Sequence, residues 1–313
     1  MYKKETFDCR RWLTIFNDAL RDRNRCRELR AALFQETVAI VNARGYRLNG
    51  VDIPIQNDSV PARTEFFTSP PKLPNQARNS GTNYAVIQAD CLETAEVLLY
   101  AGCNPCVLNM ASGQNPGGGV KTGAAAQEEA LFRRTNLFKS LYQFADYAAE
   151  YGTPRSSNQY PLDRKSGGIY SGGITVFRAS ESNGYALLKK PFQVSFASVP
   201  ALKRPELENS GGQYFIAKRL VEPAKEKIRT ILRIAGKYAH DSIVLGAFGC
   251  GAYANPPHHI ASLFKEVFAE REFKGYFKTL VFSIIDDHNS RKEHNPDGNV
   301  LPFLNVFDTS SMP

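Results

Sequence analysis

Short apolar segments alternate with amphipathic helical segments from residue 83 onward, and this alternation restricts the fold more than any other feature of the chain. Helical spacing predicts helices over residues 90–102, about 125–149, 214–238 and 257–271. The predicted strands cover residues 84–89, 105–110, 173–179, 192–199, 242–248 and 279–285. Apolar strands connected by helices are covered on both faces. The pattern therefore predicts a three-layer α/β/α fold with a mixed, mostly parallel sheet.

The first 82 residues predict an N-terminal helical extension. Residues 8–43 have helical spacing with a break around residues 22–24, and we expect Gly45 to end the second helix in the left-handed conformation. Asn49 and Gly50 predict a two-residue hairpin turn. Residues 56–82 predict connecting chain because they are rich in Pro, Asn and Ser. We expect two parts, with residues 1–82 as the extension and residues 83–313 as the α/β core.

Charge and composition narrow the class of ligand. The formal net charge of +8 attracts anions, whether nucleic acid, lipid or a phosphorylated small molecule. Arginines within residues 21–30 alternate with acidic and apolar residues, which is typical of a solvated helix face, so we do not expect direct nucleic-acid binding. No apolar run predicts a membrane span or a signal peptide. We therefore expect a cytoplasmic or nuclear protein with no membrane partner.

The sequence gives no indication of a metal or other cofactor. The six cysteines are scattered, as expected for reduced thiols. Cys103 and Cys106 form one C-x-x-C pair, whereas structural zinc sites need four ligands. No H-E-x-x-H motif occurs. We expect no cofactor.

Two glycine-rich segments follow predicted strands and lead into helices. The first is GGGVKTGAAAQEE at residues 117–129, and the second is GAFGCGAYANPP at residues 246–257. Glycine lets backbone amides approach a phosphate, and a following helix N-terminus favours an anion. Together they predict a diphosphate site at the carboxyl ends of the strands. The alternative, that such glycines end strands for packing reasons alone, stays open for each loop.

Glu128 and Glu129 stand side by side at the predicted start of a helix. Acidic residues there commonly complement the helix dipole, and Glu129 is spaced to pair with Arg133 one turn later. The other interpretation places both carboxylates at the loop end of the helix, facing the same crevice as the glycine-rich loops.

Gly-Gly-Gly, seven residues and then Gln-Glu-Glu, with the downstream GAFGCGAYANPP, resembles the poly(ADP-ribose) glycohydrolase family in its shorter bacterial and fungal type, which is built on a macrodomain. The similarity extends from about residue 26 to residue 286. It implies a macrodomain-like catalytic core and a hydrolase that releases ADP-ribose from poly(ADP-ribose) or from ADP-ribosylated proteins. Cutting at chain ends and a role in reversing ADP-ribosylation, as in the DNA damage response, are further implications.

The resemblance also implies roles for individual residues. Glu129 corresponds to the catalytic residue and Glu128 to a ligand of the ribose hydroxyls. One positioned acid can protonate the leaving oxygen and then accept a proton from the attacking water. Tyr253 stands where the family typically has Phe. The implied substrate-binding residues are Asp90, Ser112, Gly117, Gly118, Gly119, Val120, Gln127, Gly246, Phe248, Gly249, Cys250, Gly251, Ala252 and Tyr253.

Other functions stay open at this point. A mono-ADP-ribosyl hydrolase acting on a modified protein or nucleic acid would use the same residues. A non-catalytic ADP-ribose-binding macrodomain is a different class, which the presence of both acids argues against. A nucleic-acid binder is the most distant alternative.

Overall fold

A seven-stranded mixed sheet is the main element of the computed structural model, which describes residues 7–57, 59–75, 79–286 and 292–307. The strands in the described residues are β1 Gly45–Leu48, β2 Val51–Pro54, β3 Thr64–Phe67, β4 Asn83–Ile87, β5 Pro105–Met110, β6 Gly168–Arg178, β7 Leu187–Val199, β8 Leu207–Ser210, β9 Gln213–Ile216, β10 Ser242–Leu245 and β11 Thr279–Ser283. The helices are α1 Cys9–Asp18, α2 Arg23–Asn42, α3 Cys91–Tyr100, α4 Gln127–Arg134, α5 Phe138–Leu141, α6 Lys218–Lys237, α7 Pro257–Ala269 and α8 Val300–Phe307.

The sheet has the strand order β3-β6-β7-β5-β10-β11-β4. Its strands β5, β10, β11 and β4 are paired in parallel, with Ser242 opposite Pro105 and opposite Thr279, and Thr279 opposite Asn83. The carboxyl ends of β5 and β10 therefore lie next to each other at one edge of the sheet. The predicted α/β fold with a mixed sheet is confirmed.

The chain divides into two compact units whose segments alternate along the sequence. The first unit comprises Met1–Glu65, Ala111–Pro161 and Ser171–Ser195, and the second comprises Phe66–Met110, Leu162–Tyr170 and Phe196–Pro313. The division at residue 82 stays a prediction.

The second unit contains the larger apolar core. Side chains of α6 and α7 pack with those of β5, β10 and β11 in one buried cluster. Phe303 of α8 is fully buried in the same cluster, with its ring 4.9 Å from that of Phe282. Burial of this apolar surface is the main stabilising contribution to the α/β layers.

The first unit begins with the predicted pair of helices. The Asp22 carboxylate caps α2 by accepting hydrogen bonds from the amides of Asn24 and Arg25, both at 3.0 Å, which explains the break between the helices. The Asn49–Gly50 hairpin is confirmed, since both residues have positive φ, 51° and 80°, between β1 and β2.

The expected end of α2 is wrong in detail. Arg44, with φ of 60°, takes the left-handed position, and Gly45 starts β1 with φ of 145°. A side chain at Gly45 would overlap the carbonyl oxygen of Ile53. The glycine at position 45 is therefore required by the close approach of the two hairpin strands. It is not required to cap helix α2.

Two other segments differ from the predicted elements. The connecting segment 56–82 contains β3, an edge strand of the sheet, and the hairpin of β8 and β9 precedes α6. The helix expected over about 125–149 ends at Arg134. Thr135 is extended, with φ of −139° and ψ of 172°, and forms a β-bridge with Val176. Pairing with a distant strand thus replaces further helical hydrogen bonds.

Candidate active site

The loop that follows β5 needs glycine at two consecutive positions. Gly117 and Gly118 have φ of 75° and 53°, which other residues rarely adopt. A Cβ on Gly117 would lie 2.6 Å from the Phe132 ring, and one on Gly118 would lie 2.5 Å from Oε1 of Glu129. These glycines let the backbone lie directly against α4 and its two carboxylates.

Helix α2 fixes the turn that comes next. Gly119 precedes a 3-10 turn at Val120–Thr122, and Gly123, with φ of 71°, ends it. The Arg27 guanidinium donates from Nε to the Thr122 carbonyl oxygen and from Nη2 to the Thr122 hydroxyl, both at 2.9 Å. A Cβ on Gly123 would overlap the Arg27 carbonyl oxygen. The N-terminal helix thus determines where this loop lies.

Glu128 is buried, and both of its carboxylate oxygens accept backbone hydrogen bonds. Oε2 accepts from the Ser112 amide at 2.7 Å, and Oε1 accepts from the Gly117 amide at 3.1 Å. Charge-assisted bonds of this kind stabilise the ionised form. Glu128 therefore closes the glycine-rich loop as a carboxylate.

Glu129 has a different environment. Its Oε1 accepts a hydrogen bond from the Gly119 amide at 2.8 Å. Its Oε2 is buried and has no hydrogen-bond partner among the described residues. The side chain is 7% exposed. One oxygen is anchored and the other is unpaired, as suits a carboxyl group that exchanges a proton with a bound molecule.

The interpretation that Glu129 pairs with Arg133 is wrong. Arg133 donates from Nε to the Tyr185 hydroxyl at 2.8 Å and from Nη1 to the Ala124 carbonyl oxygen at 2.7 Å. In the described part of the chain Glu129 makes no ion pair within 4.0 Å. Helix-surface spacing therefore does not explain why two acids begin α4.

An aromatic cluster near these acids was missed by sequence reasoning. Tyr142, Tyr147 and Tyr151 have ring centroids 4.6–6.0 Å apart, and Nζ of Lys121 lies 3.3 Å from the Tyr147 ring centroid. Burial, together with the negative charges of Tyr151, Glu128 and Glu150, raises the pKa of Tyr147 to about 12. Tyr147 is therefore a neutral phenol at physiological pH. The only sequence signal was four tyrosines within residues 142–160.

The second glycine-rich loop, in the second unit, is stabilised largely by its own backbone. The amides of Cys250, Ala254 and Asn255 donate to carbonyl oxygens of the loop at 3.0–3.1 Å. The Asn255 side-chain amide donates to the Leu202 and Gly249 carbonyl oxygens at 2.7 and 3.0 Å.

Packing explains the glycine at position 249. Gly249 has φ of 76°, and a Cβ there would lie 2.6 Å from both Ala201 and the Asn255 side chain. The Phe248 and Cys250 side chains are buried, so only their backbone groups can meet a ligand. The diphosphate role of Gly246–Tyr253 stays a prediction.

The remaining predicted site residues have structural contacts of their own. Asp90 is the N-cap of α3, where Oδ1 accepts from the Leu92 amide at 2.9 Å and from the Glu93 amide at 3.2 Å. The Ser112 hydroxyl accepts from the amides of Gln114 and Asn115, both at 3.3 Å. Their ligand roles are untested predictions.

The predicted site residues thus form two groups, each within one unit. The first unit holds Ser112, Gly117, Gly118, Gly119, Val120, Gln127, Glu128 and Glu129, and the second holds Asp90, Gly246, Phe248, Gly249, Cys250, Gly251, Ala252 and Tyr253. Among the residues that the structure describes, no group of three or more His, Cys, Asp or Glu side chains is arranged to hold a metal ion. No helix in those ranges is long and apolar enough to span a bilayer.

Comparison with known proteins gives a consistent result. Residues 34–179 match the family model described as "Microbial-type PARG, catalytic domain". No curated protein is significantly similar to the chain. The match includes the glycine-rich loop, both acids and Tyr147.

Two solved structures extend the similarity over most of the chain. The poly(ADP-ribose) glycohydrolase of Thermomonospora curvata, bound to the inhibitor ADP-HPD, is 26% identical, with a TM-score of 0.70, and the match covers 89% of this chain and 99% of that one. The poly(ADP-ribose) glycohydrolase of Deinococcus radiodurans in complex with ADP-ribose is also 26% identical, with a TM-score of 0.60 and coverage of 85% and 100%. The resemblance seen in the sequence is confirmed.

Proposed function

We propose that this chain, whose residues 34–179 match the family model of the microbial-type PARG catalytic domain, hydrolyses the ribose–ribose O-glycosidic bonds of poly(ADP-ribose) with Glu129 as general acid and base. The unpaired, buried Oε2 of Glu129 is the observation that carries this assignment. A buried carboxyl oxygen with no partner in the protein is costly unless it is protonated or meets a ligand.

The reaction needs a proton on the departing ribose oxygen, because the bond breaks through an oxocarbenium-like state. Glu129, protonated on Oε2, gives that proton to the 2′ oxygen as the bond from C1″ breaks. The resulting carboxylate takes a proton from the attacking water, whose oxygen forms the new bond to C1″. The Gly119 amide fixes Oε1 throughout, so the side chain keeps its orientation.

Glu128 has a complementary role in this proposal. Its oxygens each accept one amide hydrogen bond in the glycine-rich loop. A carboxylate oxygen has two lone pairs, so each can also accept a hydroxyl hydrogen. We propose that Glu128 binds ribose hydroxyls while it holds the loop closed.

Glu129→Gln tests the assignment, because the amide has the shape of the carboxylic acid and its oxygen can still accept from Gly119. General acid–base groups contribute about 10²–10⁴-fold to the rate, so we expect release of ADP-ribose from purified polymer to fall by at least ~100-fold. Calorimetric titration with ADP-ribose should give an affinity within about threefold of wild type.

Glu150→Gln is the matched control, since Glu150 lies in the same unit with an exposed side chain. It should keep wild-type turnover. A Glu129→Gln protein that releases ADP-ribose as fast as this control would remove Glu129 from the mechanism.

Action at chain ends is the finer part of the proposal, and it rests on the family resemblance. A polymer of defined length distinguishes the modes. Cutting at chain ends yields monomeric ADP-ribose from the first minutes, whereas internal cutting first yields oligomers of ADP-ribose. Early oligomers would contradict action at chain ends and leave the role of Glu129 intact.

A further inference from the structure

A buried chain of polar side chains begins at Arg133, one helical turn after Glu129. Arg133 is 1% exposed, and its guanidinium donates to the Tyr185 hydroxyl and to the Ala124 carbonyl oxygen. Its own carbonyl oxygen accepts from the Thr37 hydroxyl at 2.6 Å. The guanidinium is therefore held by Tyr185 and Ala124, and among the described residues it forms no ion pair with Glu129 within 4.0 Å.

Tyr185 connects this arginine to a second ion pair. Its hydroxyl accepts from Arg133 and donates to Oε2 of Glu181 at 3.0 Å. Glu181 also accepts from Nε and Nη2 of Arg30, both at 2.7 Å. Burial opposes ionisation of Glu181, but the hydrogen bonds and charge of Arg30, the charge of Arg133 and the hydrogen bond from Tyr185 together outweigh it and lower the pKa of Glu181. Burial raises the pKa of Tyr185, so its phenol keeps the proton that it donates.

The direction of Arg133 matters because of its spacing from Glu129. Side chains four residues apart on a helix are neighbours, and Glu followed by Arg at this spacing forms ion pairs. A buried arginine beside a buried carboxylate would favour the ionised form strongly. A group that must begin the reaction with a proton is inactive in that form.

We propose that Tyr185 is a positioning residue that acts through Arg133. Its hydroxyl, oriented by Glu181, keeps the guanidinium away from Glu129 and against the Ala124 carbonyl. Ala124 lies in the segment between Gly119 and α4, so the same contact fixes the loop that anchors Oε1 of Glu129. This inference rests on the proposed acid–base role of Glu129.

Tyr185→Phe removes only the bridging oxygen. We expect kcat near neutral pH to fall by about tenfold or more while KM changes less than about twofold. The alkaline limb of the kcat profile should move by about one pH unit to lower pH, since tenfold in protonation corresponds to one unit. In the double variant Tyr185→Phe with Arg133→Met, the alkaline limb of the kcat profile should return to its wild-type position, because the Arg133 guanidinium is no longer present near Glu129.

Tyr46→Phe is the matched control. Tyr46 is also buried, at 1% exposure, and its hydroxyl donates to the Leu188 carbonyl oxygen at 2.5 Å. Tyr46→Phe loses one hydroxyl hydrogen bond and Tyr185→Phe loses two, so both variants should have a lower Tm, with the larger decrease in Tyr185→Phe. The Tyr46→Phe protein should keep the wild-type kcat and pH profile.

The outcomes separate this inference from the function on which it rests. If Tyr185→Phe matches Tyr46→Phe in kcat and pH profile while Glu129→Gln is inactive, the positioning role is wrong and the proposed function stands. If Glu129→Gln is active, the proposed function itself fails. Should Tyr185→Phe not fold, Glu181→Leu removes the carboxylate that accepts from the Tyr185 hydroxyl, and the same shift of the alkaline limb is expected.

Discussion

Replacing Gly118 with alanine gives a direct test of how tightly the glycine-rich loop determines the position of Glu129. The added Cβ would lie 2.5 Å from Oε1 of Glu129, where ordinary contacts begin at 3.4 Å. The carboxylate must therefore move by roughly 0.9 Å. Because Oε1 belongs to a side chain, it can move at little cost in stability. Its hydrogen bond from the Gly119 amide cannot survive unchanged.

The expected effect separates stability from activity. A left-handed alanine costs about 1–2 kcal/mol in unfolding free energy. A displacement of about 1 Å in a catalytic group costs on the order of 10²-fold in rate. We therefore expect Gly118→Ala to lose about 100-fold in kcat on purified polymer and only 1–2 kcal/mol in stability. ADP-ribose release and urea denaturation provide the two measurements.

Gly211→Ala is the control for backbone strain. Gly211 has φ of 62°, close to the 53° of Gly118, and a Cβ there meets no atom within 4 Å. Its cost in stability should match that of Gly118→Ala, with turnover at the wild-type level. If the two variants have the same kcat, the loop does not position Glu129 and the reasoning above is refuted.

Two further predictions concern stability. Gly123→Ala should lower the free energy of unfolding by at least about 3 kcal/mol, because backbone strain adds to overlap with the Arg27 backbone, which cannot move aside. A loss in urea denaturation as small as that of Gly211→Ala would contradict this prediction. Lys227 is 4% exposed, and burial lowers its pKa from 10.5 to about 8, with Asp163 acting in the opposite direction. Between pH 8 and pH 10.5 only the unfolded chain binds this proton, so stability rises with pH in that window. The free energy of unfolding of Lys227→Met should exceed that of the wild type by about 3 kcal/mol at pH 7, and the difference should disappear by pH 10.5. Denaturant titrations that give the same difference at every pH would refute this prediction.

Local sequence determined several elements because their causes lie within a few residues. Asn49 and Gly50 tolerate positive φ, so the hairpin follows from two adjacent residues. Strand β5 has the predicted limits, Pro105–Met110, since its apolar run is bounded by Asn104 and by the polar loop. The spacing between the glycines and the Gln-Glu-Glu triplet likewise predicted that both lie in one site.

Long-range partners decided where sequence reasoning failed. The segment after α4 has helical spacing, yet the Asn136 side chain accepts from the Thr175 amide at 2.8 Å, and this partner lies 39 residues away. Such pairing satisfies the backbone groups that a continued helix would otherwise satisfy. A local pattern contains no information about a strand so distant in the sequence.

The same reason separates the two acids. Sequence alone placed Glu128 and Glu129 at the start of a helix beside a glycine-rich loop and, through the family resemblance, assigned catalysis to the second. It also left an ion pair with Arg133 open. Only the tertiary structure directs Arg133 to Tyr185, 52 residues further on, and leaves one oxygen of Glu129 buried with no hydrogen-bond partner in the described part of the chain. Hydrogen-bond partners are chosen by proximity in space, and folding brings together groups that the order of residues does not.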